Sequence, residues 1–408
     1  MSLTAIRANY LLVALGLVLI LSWGSLYYSL AVLAKPLQAA LGFSEFVVFG
    51  AFTLSVLVSG LMAPMVGRWI DRVGGRLPLA LGSALAALAF VILASTDRLA
   101  LYVLGWLVAG VAMSLCLYDP VFVVIHQVLP TRFRRSVTVL TLFGGFASTV
   151  FWPFSHWLIE LGGWREALLV FAALHLFIGV PVHLLMVPKK LDSSAERPAS
   201  SGSTAASAEA HLPRQIQAAE RQLAWLAVSF ASAMAVFGAL SLFLIEALAS
   251  RGFARADAVW LAAAIGPMQV LGRLVEWRLA NTSRAVTVGA VSLSLLLVSV
   301  LLLNLMPPIW TLGLLFAAFY GVANGLLTVV RSTVPVELFG ASNVGATLGR
   351  LARPTFIVKA LMPAVFAGLL ALGISLSTAL WSLVGFAVIA AIAYGWLLSQ
   401  DRRRSVHG

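Results

Sequence analysis

Cysteine occurs once in this sequence, as Cys116, which excludes a disulfide framework or a cysteine-based metal site within one chain. Charge is scarce as well: Asp, Glu, Lys and Arg make up 10% of the 408 residues, against 61% hydrophobic ones. With a mean hydropathy of +1.00, the chain carries more apolar surface than a soluble domain can bury. Long hydrophilic stretches are almost missing, so no separate soluble domain fits. Glycine-rich phosphate cradles and nucleophile motifs are absent too, so neither ATP hydrolysis nor covalent catalysis is indicated, and an enzyme is not expected. His126, His175 and His183 show no metal-ligand spacing. No cofactor is expected.

Bases outnumber acids 27 to 15, yet they stand in short clusters between apolar runs, as topology signals do, and not in a nucleic-acid-binding patch. The runs are near 8–33, 44–66, 77–95, 99–129, 136–160 and 165–187, then 222–247, 257–276, 285–305, 309–334, 344–371 and 375–399, each long enough to cross a bilayer. The first is too long for a signal-peptide core and is kept as a helix. The fold predicted is an all-α membrane protein of twelve transmembrane helices in two pseudo-symmetric six-helix bundles. Residues 1–188 form the first bundle. Residues 189–221, rich in Ser, Ala and charge, suit a flexible connector, and residues 222–408 form the second bundle with a short tail. If the N-terminus is cytoplasmic, 20 of the 27 bases face the cytoplasm and five (Lys35, Arg98, Arg165, Arg251, Arg255) the other side, with Arg331 and Lys359 inside apolar runs. That split places both termini and the connector in the cytoplasm.

The halves echo each other. Gly110-Val-Ala112 recurs as Gly321-Val-Ala323, Gly67-Arg-x-x-Asp71 as Gly272-Arg-x-x-Glu276, and Pro153 as Pro363, at offsets of 211, 205 and 210. Three short matches in one order at nearly one spacing are what an internal duplication leaves.

The segment Gly67-Arg-Trp-Ile-Asp71-Arg72-Val-Gly74-Gly75-Arg76, taken as the loop after the second helix, resembles the signature loop of the major facilitator superfamily, departing from it in placing Gly75 where a base usually stands. The resemblance covers essentially the whole chain and implies a secondary transporter. It also implies that Asp71 braces the start of the eleventh helix together with a base of the helix 4–5 loop, here Arg132, Arg134 or Arg135. The bland reading is a solvated loop whose charges, Arg72 among them, only set topology. Within the superfamily, Trp23-Gly24-Ser25-Leu-Tyr27-Tyr28-Ser29, Lys35-Pro36-Leu37, Tyr118-Asp119-Pro120, Gly144-Gly145 and Trp164-Arg165 are similar to the oxalate/formate and monocarboxylate transporter branch. The fifth helix lacks the glycine pattern of drug/proton antiporters.

Charges inside apolar runs are the best functional clues, because each costs about 3 kcal/mol at mid-membrane unless it meets water or a partner. Asp119 and Arg331 lie 9 and 10 residues beyond the repeated Gly-Val-Ala, hence at one depth, and are candidates for a pair across the halves, either a structural salt bridge or a gating and coupling device. Lys359 has no acid beside it in sequence and should either await an anionic ligand or lose its proton, unless it snorkels to an interface. The branch resemblance implies the former, with the lysine on the substrate's carboxylate. Thr149 is its mate under the 210 offset. Tyr27, Tyr28, Gln269, Asn324 and His156 complete the polar set near a central cavity, with His156 either a proton site or a wall residue. The function expected is transport of a small organic anion, plausibly a carboxylate, coupled to protons or a counter-anion, by a monomer in a bacterial inner membrane. Efflux of drug-like compounds and a transporter-like sensor are the alternatives.

Overall fold

The structure, a computed structural model, describes residues 3–189, 205–340 and 344–407. Eleven helices among them are long and apolar enough to cross a membrane: α1 Arg7–Leu41, α2 Phe46–Val73, α3 Arg76–Ala94, α4 Leu99–Val128, α5 Pro130–Gly162, α6 Trp164–Met186, α7 Ala219–Ser241, α9 Ala285–Leu305, α10 Trp310–Phe339, α11 Val344–Leu370 and α12 Leu376–Gln400. Between them α8, Arg255–Leu279, has spanning length but carries Asp257, Gln269, Arg273 and Glu276. The result is a twelve-helix fold in two pseudo-symmetric bundles, with both chain ends on one face, called here the terminal face.

Local chemistry sets the boundaries. Ser44 caps α2 by accepting the Val47 N–H at 3.3 Å. Gly74 ends it at φ 81°, a conformation that costs other residues strain, so the chain turns into α3 within two residues. Proline breaks α4: Pro120 has no N–H for the Cys116 carbonyl, and the helix is interrupted at the extended Leu117 before restarting at Tyr118. Asp119 thereby stands in the first turn of the restarted segment, where the helix dipole favours a carboxylate. α5 is similarly divided at Phe146 into Phe133–Gly145 and Ala147–Gly162.

Two boundaries differ from the sequence reading. The signature segment from Gly67 to Val73 is not loop but the last two turns of α2, and Gly272 to Glu276 likewise lies inside α8. The run of charges ends an apolar pattern without ending a helix, since Arg and Trp are adequate helix formers. In the connector, the helix leading into α7 already begins at Ala205. Its Ala, Glu, Gln and Arg residues favour helix as strongly as their polarity suggests a linker. The rest of that stretch, 190–204, lies outside the described residues.

Three buried apolar clusters hold the fold. One lies wholly in the second half, around Phe230, Phe316 and Phe366, and one wholly in the first, around Phe90, Trp106 and Phe171. The third joins Leu11, Val66, Val124 and Val137 at the terminal-face ends of α1, α2, α4 and α5 to Val329, Val344 and Leu348 of the other half. On this side α2 and α11 approach at backbone distance: a Cβ at Gly67 would meet the Gly345 carbonyl oxygen at 1.9 Å, and one at Gly349 the Ala63 oxygen at 2.5 Å. The inner segment of α5 packs against α1 and, across the halves, against α8 and α10, whereas its outer segment packs against α1 and α6 of its own half. The halves are therefore closed together at the terminal face.

Candidate functional site

Above that closure lies a cavity of about 640 Å³, walled by α1, α4 and α5 of the first half and by α7, α8, α10 and α11 of the second. Tyr27, Tyr28, Thr149, Gln269, Asn324, Arg331 and Lys359 all line it, as does Asp119. Aromatic rings supply much of the wall. Trp23 is an edge partner of Tyr27 at 5.3 Å and lies 5.0 Å from Tyr118, while Tyr27 and Tyr28 meet at 5.3 Å.

Asp119 and Arg331 come together across the halves, Nη2 to Oδ1 at 3.7 Å. That distance is an ion pair without a hydrogen bond, so the guanidinium keeps donors free. Arg331 also reaches Met234 Sδ at 3.7 Å and lies 5.4 Å from the Phe356 ring centre. Lys359 projects from α11 with Nζ 5.9 Å from the centre of the Tyr27 ring, close enough for a cation–π attraction. Gly238 of α7 makes this placement possible, since a Cβ there would stand 2.5 Å from the Lys359 carbonyl oxygen.

The sequence reading placed Arg273 in a loop as a topology charge, and the structure corrects it. Because α8 continues to Leu279, Arg273 sits inside the helix, only 7% exposed, and lines the cavity. Its Nη1 donates to the Thr141 carbonyl at 3.1 Å, an oxygen that also accepts the Tyr118 hydroxyl at 3.1 Å. Gly144 and Gly145 of α5 leave room for both: a Cβ would fall 2.1 Å from the Tyr118 oxygen at one and 2.5 Å from Arg273 Nη1 at the other. Arg273 Nε is buried with no hydrogen-bond partner among the described residues. A helix stopped near 276 leaves Arg273 at its mouth, and only the observed continuation of α8 to Leu279 brings it inside.

His156 does not join the site. It is 66% exposed on the outer segment of α5, 3.3 Å from Glu160, one turn along the helix. An i,i+4 pair on an outward-facing surface explains its spacing without a role in the cavity.

At the terminal face two carboxylates bridge the halves. Asp71 accepts the backbone N–H groups of Gly345 at 3.0 Å and Ala346 at 2.9 Å, capping α11. Arg72 follows it in the last turn of α2. Glu276, fully buried, holds Arg134 of α5 in a two-pronged pair, Oε1 to Nε at 2.5 Å and Oε2 to Nη2 at 3.1 Å. Arg134 also donates to the Ser283 carbonyl, and Arg135 lies 5.8 Å from the Trp277 ring centre. Thus Arg134 turns to Glu276 across the interface. Asp71 and Glu276, partners in the internal repeat, thus both reach across the halves, one to backbone N–H groups at the start of α11 and the other to the Arg134 side chain near the start of α5.

The family model of the Major Facilitator Superfamily matches residues 12–299. An uncharacterized 38 kDa protein in a 23S RNA operon of Thermoproteus tenax is 31% identical over 193 residues, which are 47% of this chain and 50% of that protein. The chain thus spans about half the length of the curated relative it matches. Among solved structures, FucP in an outward conformation aligns with a TM-score of 0.70 at 14% identity, covering 96% of this chain and 99% of that one. The human organic anion transporter MFSD10 (TETRAN) aligns with a TM-score of 0.68 at 18% identity, covering 97% and 100%. At these identities the likeness is one of fold.

Proposed function

Because the chain belongs to the Major Facilitator Superfamily, whose members are transporters and not enzymes, we propose that it moves a small organic anion, plausibly a carboxylate, across the membrane by alternating access. The observation that carries this reading is the charge of the cavity: Arg273, Arg331 and Lys359 line it against Asp119 alone among its described acidic residues. Desolvated cations in a cavity attract an anion more strongly than any other solute of that size. Lys359 would receive the carboxylate, Arg331 would share it while loosening from Asp119, and Arg273 would offer its unpartnered Nε. Thr149, Gln269 and Asn324 would bond polar groups of the cargo, with Tyr27 and Tyr28 packing its apolar part.

Coupling to protons or to a counter-anion fits Asp119, whose charge is offset by Arg331 only while the pair is close. The same fold serves the E. coli fucose:proton symporter FucP and an organic anion transporter, so both uses lie within its range. Terminal-face closure corresponds to the outward-open state, with that face cytoplasmic by the division of bases, 19 to 5 once Arg273 is assigned to the cavity, as in a bacterial inner membrane.

Efflux of drug-like compounds draws support from the size and aromatic lining of the cavity, but a basic wall disfavours the cationic amphiphiles such pumps commonly carry. A thermal-stability screen of purified protein separates the two readings. Small mono- and dicarboxylates are expected to raise the melting temperature of the wild type and not of Lys359→Gln. Stabilisation by lipophilic cations alone would overturn the anion reading.

A further inference from the structure

α1 and α6 each contain one π-helical turn, and the two turns meet. In α1 it covers Gly24–Tyr28, with the Ser29 N–H on the Gly24 carbonyl at 2.8 Å. In α6 it covers His175–Gly179, with the Val180 N–H on the His175 carbonyl. Ser25 and His175, both fully buried, join them, Oγ to Nε2 at 2.8 Å. Such a turn inserts one residue and rotates the remainder of the helix by about 100° relative to an unbroken α-helix.

Two serine hydroxyls of α1 bond back onto its own carbonyls at the turn. Ser29 Oγ donates to the Ser25 carbonyl at 2.5 Å, and Ser25 Oγ donates to the Leu21 carbonyl at 2.7 Å. The Ser25 hydroxyl has one proton for two neighbours, the Leu21 carbonyl, which can only accept, and His175 Nε2, so both bonds form together only in the tautomer in which Nε2 carries the hydrogen. In that tautomer His175 Nδ1 is a buried acceptor without a hydrogen-bond partner among the described residues. Packing leaves the turn little latitude: a Cβ at Gly24 would stand 2.1 Å from the Phe151 ring, and one at Gly179 2.7 Å from Ser83 Oγ.

Tyr27 and Tyr28 belong to this turn, and both line the cavity. Trp152 Nε1, on the outer segment of α5, donates to the Tyr28 carbonyl at 3.1 Å. We infer that His175, which does not line the cavity, is a positioning residue for it: the Nε2–H on Ser25 fixes the π-turn that sets Tyr27 against Lys359 and Tyr28 in the cavity wall. The inference rests on the cavity being the substrate site and is independent of the cargo's charge. A histidine that merely filled space between α1 and α3 would be replaceable by any side chain of similar volume. A positioning donor is replaceable only by another donor at that reach.

The test uses the full chain in a Cys116→Ser background, with Tyr28→Cys or Thr149→Cys as the single reporter thiol and a charged methanethiosulfonate as the probe. His175→Leu is expected to slow labelling at position 28 about tenfold, as rotation of that residue out of an aqueous cavity demands, with labelling at position 149 unchanged. His175→Gln, whose amide N–H reaches near the place of Nε2, is expected to stay within about twofold of the parent. Ser25→Ala, which removes the acceptor with little change of volume, should repeat the leucine result and decides the matter if His175→Leu does not fold. Unchanged labelling at position 28 in Ser25→Ala, or a loss in His175→Gln as large as in His175→Leu, would overturn the proposal. No substrate enters the measurement, so its failure is distinct from failure of the anion reading.

Discussion

At the scale of single residues, the cavity is a balance of three cations and one carboxylate, and the lysine and the ion pair have different expected losses. Lys359→Gln should abolish saturable binding while the protein still inserts and folds, and Lys359→Arg should keep the charge but misplace it, because a planar fork does not fill the position of a compact ammonium. Equilibrium binding of a stabilising carboxylate checks both. Asp119→Asn and Arg331→Gln are each expected to cut transport about tenfold, with the double variant losing less than the product, a coupling of about 1 kcal/mol in a double-mutant cycle. Strictly additive losses would leave two independent charges. The pair was legible in sequence because both residues stand at matching distances beyond a repeated Gly-Val-Ala, and helical depth follows from residue count. Arg273 was not legible, because an arginine near the apparent end of an apolar run looks the same whether the helix stops or continues one more turn.

At the scale of helices, the apolar runs foretold which segments span, but not their internal irregularities. The break in α4 has a cause written in the sequence, since Pro120 removes one N–H. The π-turns in α1 and α6 have none, because they arise from packing and from hydrogen bonds between helices far apart in sequence. The same holds for the closure at the terminal face. The family resemblance implied that Asp71 meets the start of α11, where its carboxylate accepts two backbone N–H groups, but nothing local announced that Arg134 would pair with Glu276 across the halves. Asp71→Asn weakens the cap by removing a charge from a helix N-terminus, a change of about 1 kcal/mol. It is expected to slow exchange between the two open states while leaving carboxylate affinity within about threefold. Comparing transport rate with equilibrium affinity in the same preparation tests this, and lost affinity with normal exchange would contradict it.

At the scale of the whole molecule, two repeats of six helices meet through a terminal-face seam and part around a cavity, so that rocking one half against the other would move the seam to the opposite face. A reporter fused after Arg404 and active only in the cytoplasm is expected from the distribution of bases; activity only outside would invert the topology. The most direct test of the central claim is counterflow in proteoliposomes preloaded with the unlabelled carboxylate that best stabilises the protein. Labelled carboxylate should accumulate transiently in vesicles holding the wild type, and neither in vesicles holding Lys359→Gln nor in empty ones. Accumulation of a lipophilic cation by the wild type, with none of any carboxylate, would contradict the account.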